Sequence, residues 1–228
     1  MSDVREGADI VTAIVASPRT AGRFTIAVDG KSLATLSLDV IERLGLNIGA
    51  SIADRLEVIE REDAALRTYD RALSMLAAQA RSERDLERRL VRKGEDPAHV
   101  RSAIERLRAA GLVDDAVFAR QLARSKLLGA GLSARRLSQE LGKRGVARDV
   151  ADEAVSQVVE EEGVDQVSIV ETVARKKLLS LARLDSVTRN RRLYGFLARR
   201  GYDADTIRST MERLRRETQG PDVARGQQ

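Results

Sequence analysis

The sequence predicts a mainly α protein: tandem three-helix repeats in an elongated, curved array, preceded by a small segment that contains a β-hairpin. Two observations predict this. The first is a period: Asp63, Asp114 and Asp165 recur at intervals of 51 residues, and Ala72, Ala123 and Ala174, then Leu76, Leu127 and Leu178, keep the same interval. The second is that apolar residues within each repeat fall three or four apart, which places them on one face of a helix. Repeats of this kind share a continuous core with their neighbours, a form suited to binding another macromolecule. A leucine, a basic pair and a glycine close the second helix of every repeat: Leu90, Arg92-Lys93 and Gly94; Leu141, Lys143-Arg144 and Gly145; Leu197, Arg199-Arg200 and Gly201. The last glycine comes 56 rather than 51 residues after its predecessor, so repeat three has gained five residues between its first and second helices.

In chain order, residues 9–36 read as β-structure, since Val11, Ile14, Val15, Phe24, Ile26, Val28 and Leu33 fall in short β-branched or alternating runs. Asp29-Gly30 between two such runs signals a hairpin, because the tight turn needs positive φ at both central residues. Ser37 precedes a short helix, Leu38 to Leu44, which Gly45 ends. Ile52, Leu56 and Ile59 begin a helical pattern leading into the repeats. The first helix of repeat one is expected from about Ala64 to Gln79, with Asp63 as its cap. Ser82 opens the second with Asp85 three residues on, a capping-box-like pattern, and Pro97 opens the third, whose face is Val100, Ile104 and Leu107 before Gly111. In repeat two, Ser133 and Leu137 match Ser82 and Leu86, and Val150, Ala154 and Val158 line the third helix. Repeat three offers Leu193, Leu197, Ile207, Met211 and Leu214. The resulting division is 1–62 for the β-rich segment, 63–113, 114–162 and 163–217 for the repeats, with Glu160-Glu161-Glu162-Gly163 as a linker and 218–228 as a disordered polar tail.

Composition narrows the function. With 228 residues, no cysteine, no tryptophan and 3% aromatic content, the core must be aliphatic, and neither disulfides nor thiolate chemistry are available. No apolar run approaches the roughly 18 residues of a membrane span, and the N-terminus lacks a secretory h-region, so the expected location is cytoplasmic. Residues 1–63 carry 7 basic and 11 acidic side chains, whereas residues 64–217 carry 32 and 23. That asymmetry points the repeats toward nucleic acid, a nucleoprotein or an acidic protein.

Candidate chemistry is sparse. The single histidine, His99, sits among polar neighbours near a helix start. Asp114-Asp115 is the one conspicuous carboxylate pair, but adjacent side chains diverge and helix capping accounts for one of them. Gly129-Ala130-Gly131 lacks the further glycine and preceding strand of a nucleotide-binding loop. No catalytic residue, metal ligand or cofactor is expected. The recurrent cations are the better candidate for a partner surface: Arg88, Arg92 and Lys93; Arg136, Lys143 and Arg144; Lys176, Lys177, Arg192, Arg199 and Arg200. Complementing helix-end dipoles would equally explain the pairs. Only Tyr194, Phe196 and Tyr202 accompany the stripe, too few stacking platforms for a dedicated single-strand reader, and Phe196 and Tyr202 are expected in packing roles.

Three segments resemble the RecX family of bacterial recombinase regulators: Arg81-Ser82-Glu83-Arg84-Asp85-Leu86 followed by Leu90 and Lys93-Gly94; Gly111-Leu112-Val113-Asp114-Asp115-Ala116-Val117-Phe118-Ala119; and Leu197-Ala198-Arg199-Arg200-Gly201-Tyr202 ending in Ile207. The resemblance covers residues 64–215, with Tyr202 standing where the family often has Phe, and the N-terminal β segment looks like an extension carried by some members. It implies a protein that binds the RecA filament on single-stranded DNA and modulates it, usually by restraining ATP hydrolysis, strand exchange and co-protease activity; a monomer without enzymatic activity is expected. A helical-repeat protein that binds nucleic acid directly is the alternative. Of the motif residues, Arg81, Ser82, Asp114, Asp115, Phe118, Gly201 and Tyr202 are expected to be structural.

Overall fold

The computed structural model describes residues 9–18, 20–163 and 165–219. They form two compact units: one runs to Ala80 and resumes over Leu86–Val113, and the other holds Arg81–Asp85 and the described residues from Asp114 onward.

The first unit begins with an antiparallel sheet in the order β1 (Val11–Ala16), β2 (Arg23–Val28), β3 (Lys31–Ser37). The expected hairpin joins β2 to β3, where Val28 pairs with Lys31 across Asp29 (φ 49°) and Gly30 (φ 78°). Both central residues have the positive φ that matches the twist of the flanking strands. One face of the sheet buries Val11, Ile26 and Leu36 with Ile52 and Ile59, an aliphatic cluster against which Phe24 packs. Helix α1 (Leu38–Arg43) follows, but the Ser37 side chain makes no cap hydrogen bond to its backbone, contrary to expectation.

Helix α2 (Leu56–Ala78) corrects the sequence reading more substantially. It is one unbroken helix of 23 residues, so Asp63 lies inside it rather than at its start. Buried Ile59 and Leu66 are seven residues apart, which keeps one apolar face in phase through Asp63 and leaves nothing to end the helix there. The carboxylate instead accepts the Thr35 amide of β3 at 2.8 Å and pairs with Arg67 at 2.9 Å. Arg23 of β2 reaches Asp70 on the same helix at 3.2 Å. The expected boundary between residues 62 and 63 therefore falls within an element that serves both the sheet and the first repeat. Helices α3 (Glu83–Arg92) and α4 (Pro97–Ala109) complete that repeat, with Ala72, Leu86, Leu90, Val100 and Leu107 fully buried together. Asp96 caps α4 through the amides of Ala98 (2.7 Å) and His99 (3.3 Å), which places the single histidine in a helix's first turn.

The second unit contains α5 (Asp115–Ala130), α6 (Ala134–Lys143) and α7 (Arg148–Glu161), then α8 (Gln166–Ser180), α9 (Ser186–Arg199) and α10 (Ala204–Gln219). Short polar residues start five of them: Asp114 accepts from Ala116 and Val117, Ser133 from Arg136, Asp165 from Val167, Asp185 from Thr188, and Asp203 from Asp205 and Thr206. Ala123 and Ala174, like Ala72, are completely buried, so the 51-residue alanine period marks the close packing position of each first helix. Leu137, Leu141, Ala154 and Val158 form one core, and Leu193, Leu197, Ile207 and Leu214 another.

Two expectations at helix ends fail. Glu160 and Glu161 belong to α7 and Glu162 caps it, so this run is not a linker. Acidic residues oppose the dipole at a helix C-terminus, but Arg124 binds both Glu161 and Glu162 at 2.5 Å and offsets that cost. Thr218 and Gln219, placed in a tail by the sequence, continue α10, and 220–228 lie outside the described residues.

Replacing Leu141 with Asp puts an unpaired charge in a closed core and should cost about 3 kcal/mol or more in urea unfolding. Unchanged stability would reject the repeat assignment. At the start of α5, Asp114→Asn should retain most of the cap while Asp114→Ala loses about 1 kcal/mol in the same measurement.

Candidate partner interface

The residues that recur in the motifs gather at the ends of the short second helices. At the end of α9 the Arg200 carbonyl accepts the Ser133 amide at 3.0 Å, just ahead of α6. The Arg200 side chain turns back to donate from Nε to the Ala130 carbonyl at 2.8 Å, and the Tyr202 hydroxyl donates to the Gly131 carbonyl at 3.1 Å. Gly201 sits at φ +90°, and a Cβ there would lie 2.5 Å from both the Arg136 Cβ and the Ser133 Oγ. Backbone conformation and space thus both require glycine. The same register occurs once more: Ser82, which matches Ser133, donates its hydroxyl to the carbonyl of Arg144, which matches Arg200. Ser82 Oγ also accepts the Asp85 amide at 3.2 Å, so the capping contact read from sequence is present, and Arg81 pairs with Asp85 at 3.0 Å.

Asp114 and Asp115 divide their work. Asp114 caps its own helix, while Asp115 Oδ1 accepts the Glu83 amide at 2.8 Å, satisfying the first turn of α3. Phe118 is buried in the core of repeat two. Adjacent carboxylates aimed at two different helix starts do not converge on a substrate.

The basic residues separate into two groups. Arg200 lies 3.7 Å from the centroid of the Phe196 ring and Lys177 5.3 Å, so both cations lie over the same aromatic ring. Burial lowers the Arg200 pKa from its ordinary value, and its contacts tie it to α5. Arg136 packs beneath Gly201 and pairs with Glu140 at 2.8 Å, and Lys143 reaches the same carboxylate at 3.5 Å. Arg144 is half-buried, with its carbonyl engaged by Ser82. Sequence reasoning missed this structural half of the stripe. Its one signal was that Arg144 and Arg200 each precede the glycine of the period. In the first unit Arg88, Arg92 and Lys93 are exposed, with Arg92 Nε on the Arg88 carbonyl at 3.3 Å. In the second unit Lys176, Arg192 and Arg199 are exposed and have no ion pair among the described residues.

The junction has a pH signature. Burial pushes the Tyr202 hydroxyl up to about 12, whereas an unfolded tyrosine ionises near 10. The neutral phenol's contribution is therefore complete below about pH 10 and is lost as pH rises toward 12. Tyr202→Phe should cost about 1 kcal/mol at neutral pH, and its stability should fall less steeply than the parent's over that alkaline window in parallel urea titrations. Gly201→Ala should destabilise more than Tyr202→Phe in the same assay, because strain and overlap coincide.

The repeats match known proteins one by one. Family models for the first, second and third three-helix domains of RecX match residues 69–107, 114–155 and 165–211. The regulatory protein RecX of Amycolatopsis mediterranei is 35% identical over 128 residues, covering 56% of this chain and 71% of the relative. That of Mycolicibacterium vanbaalenii is 34% identical, covering 64% and 84%. Among solved structures, a regulatory protein RecX superposes with a TM-score of 0.69 at 21% identity, covering 89% of this chain and 98% of the other. RecX from Lactobacillus salivarius gives 0.55 at 20% identity, covering 67% and 97%. Coverage of most of these relatives, with three domain matches in the family's order, means that this chain belongs to the RecX family of regulatory proteins.

Proposed function

We propose that this protein binds the RecA recombinase filament on single-stranded DNA and restrains its ATP hydrolysis, strand exchange and co-protease activity. The observation that carries this reading is the match of all three repeats, in order, to the three RecX domains. Surface charge supports it: the repeats hold the basic excess, and exposed Arg92, Lys93, Lys143, Arg192 and Arg199 recur around the second helices, with Lys176 on the first helix of repeat three. A filament repeats its surface, so several modest contacts from one chain combine through effective concentration. Regulation then follows from preferential binding to one filament state, without chemistry by the regulator. Asp114 and Asp115, both used at helix starts, leave that carboxylate pair without a catalytic geometry. No described helix is long and apolar enough to cross a membrane. We read the protein as a cytoplasmic monomer without a cofactor, with direct DNA contact as a secondary, weak interaction.

The test adds purified protein to RecA on single-stranded DNA and follows ATP hydrolysis and filament length together. Wild type should lower both, with an effect that weakens as salt rises. Gln replacements at Arg92, Lys93, Lys143, Lys176, Arg192 and Arg199 should leave thermal unfolding within about 1 kcal/mol of wild type, because exposed charges contribute little. The same variant should need several-fold more protein for equal inhibition. Full potency in a folded variant would reject the basic surface, and binding to oligothymidine without any effect on RecA would favour the nucleic-acid reading.

A further inference from the structure

Four of the five residues gained by repeat three become one additional turn at the start of α9, which has 14 residues where α6 has 10. The corner it forms with the end of α8 carries Leu179 (80% exposed) and Val187 (76%), the two most exposed large apolar side chains among the described residues. Tyr194, 40% exposed, is seven residues beyond Val187 and Arg191 is four beyond it, so all three share one face of α9. Neither apolar side chain on the extra corner is needed by a core. Between Glu171 and Arg200 the chain has nine basic residues against two acidic ones. Both acids are occupied: Glu171 by Arg175 and Arg213, and Asp185 by the Thr188 amide, which holds its carboxyl below the usual range. Lys176, Arg183 and Arg191 are exposed with no ion pair among the described residues.

We propose that this corner is a docking site for an acidic protein segment carrying apolar side chains. Charge complementarity selects an anionic occupant, and Leu179 and Val187 select among anions. Aliphatic side chains gain nothing from a phosphate backbone, and the corner offers one aromatic platform, so a nucleic acid would leave its most distinctive residues idle. An anionic membrane would need a continuous apolar face, whereas Arg191 interrupts the line from Val187 to Tyr194. Those two residues are separated by about 10 Å along the helix, which a segment in the polyproline II conformation spans with apolar residues three apart on one side. The site does not depend on the recombinase reading, since any partner displaying such a segment fits it.

The experiment uses the full chain and two labelled peptides, one of repeating Leu-Asp-Glu and one of repeating Ser-Asp-Glu, followed by fluorescence anisotropy. The leucine peptide should bind about tenfold more tightly. The double variant Leu179→Ser/Val187→Ser should lose most of that preference while binding the serine peptide as before, with an unchanged melting temperature because both sites are exposed. Lys176→Gln/Arg183→Gln/Arg191→Gln should weaken both peptides. Equal binding of the two peptides, or an undiminished preference in the serine double variant, overturns the proposal. So does a double variant whose loss appears instead with oligothymidine or with phosphatidylglycerol vesicles, outcomes that would assign the corner to nucleic acid or membrane. No recombinase is present, so these results stand apart from the ATP-hydrolysis test.

Discussion

The second helices of this protein are short, and the ends of short helices must be satisfied from outside. Ten residues give α6 fewer than three turns, too few to persist in water without tertiary support. Its entry is held where the Ser133 amide meets the Arg200 carbonyl, a group that the end of α9 leaves without an intrahelical partner. Each helix end thereby supplies what the other lacks. Gly201, Tyr202 and Arg136 are explained by this contact: glycine admits the approach, the phenol takes the neighbouring Gly131 carbonyl, and Arg136 packs under the turn. Ser82 and Arg144 repeat the arrangement with a hydroxyl in place of an amide, so it is a property of the repeat rather than of one site.

That constraint divides the basic surface into charges with different work. Arg200 is held by a carbonyl and an aromatic ring and is partly desolvated, so changing it would disturb packing as well as charge. Lys176, Arg192 and Arg199 point into solvent and contribute little to stability. Only the second kind can be altered and interpreted as a binding residue. The basic pair at the end of α9 is thus two residues with two roles: Arg200 is structural and Arg199 is available.

Much of the fold was legible because its rules are local. The period located the repeats, Asp114, Ser133 and Asp165 capped their helices, and Asp29-Gly30 made its hairpin, since each of these needs only neighbours within a few residues. The failures came where a distant group competed with the local rule. Asp63 looks like a cap until Thr35, 28 residues away, offers an edge-strand amide. Glu161 and Glu162 look like a linker until Arg124 neutralises them across 37 and 38 residues. The site was less legible than the fold for the same reason: a helix-end dipole, solvent or a backbone carbonyl would each satisfy Arg144 and Arg200 equally in a one-dimensional reading.

The insertion in repeat three shows what such an architecture tolerates. Four extra residues add about one turn and roughly 6 Å to a helix while returning the downstream residues almost to their original phase. Leu193 and Leu197 therefore keep the buried positions that Leu137 and Leu141 hold in repeat two. A shorter insertion, of two residues, would have rotated both leucines away from the core by roughly 200°. The added turn has no matching core position in repeat two, so Val187 remains in solvent. A whole-turn insertion is the cheapest way for a repeat to acquire new surface: its packing constrains the phase of the helix and leaves its length free.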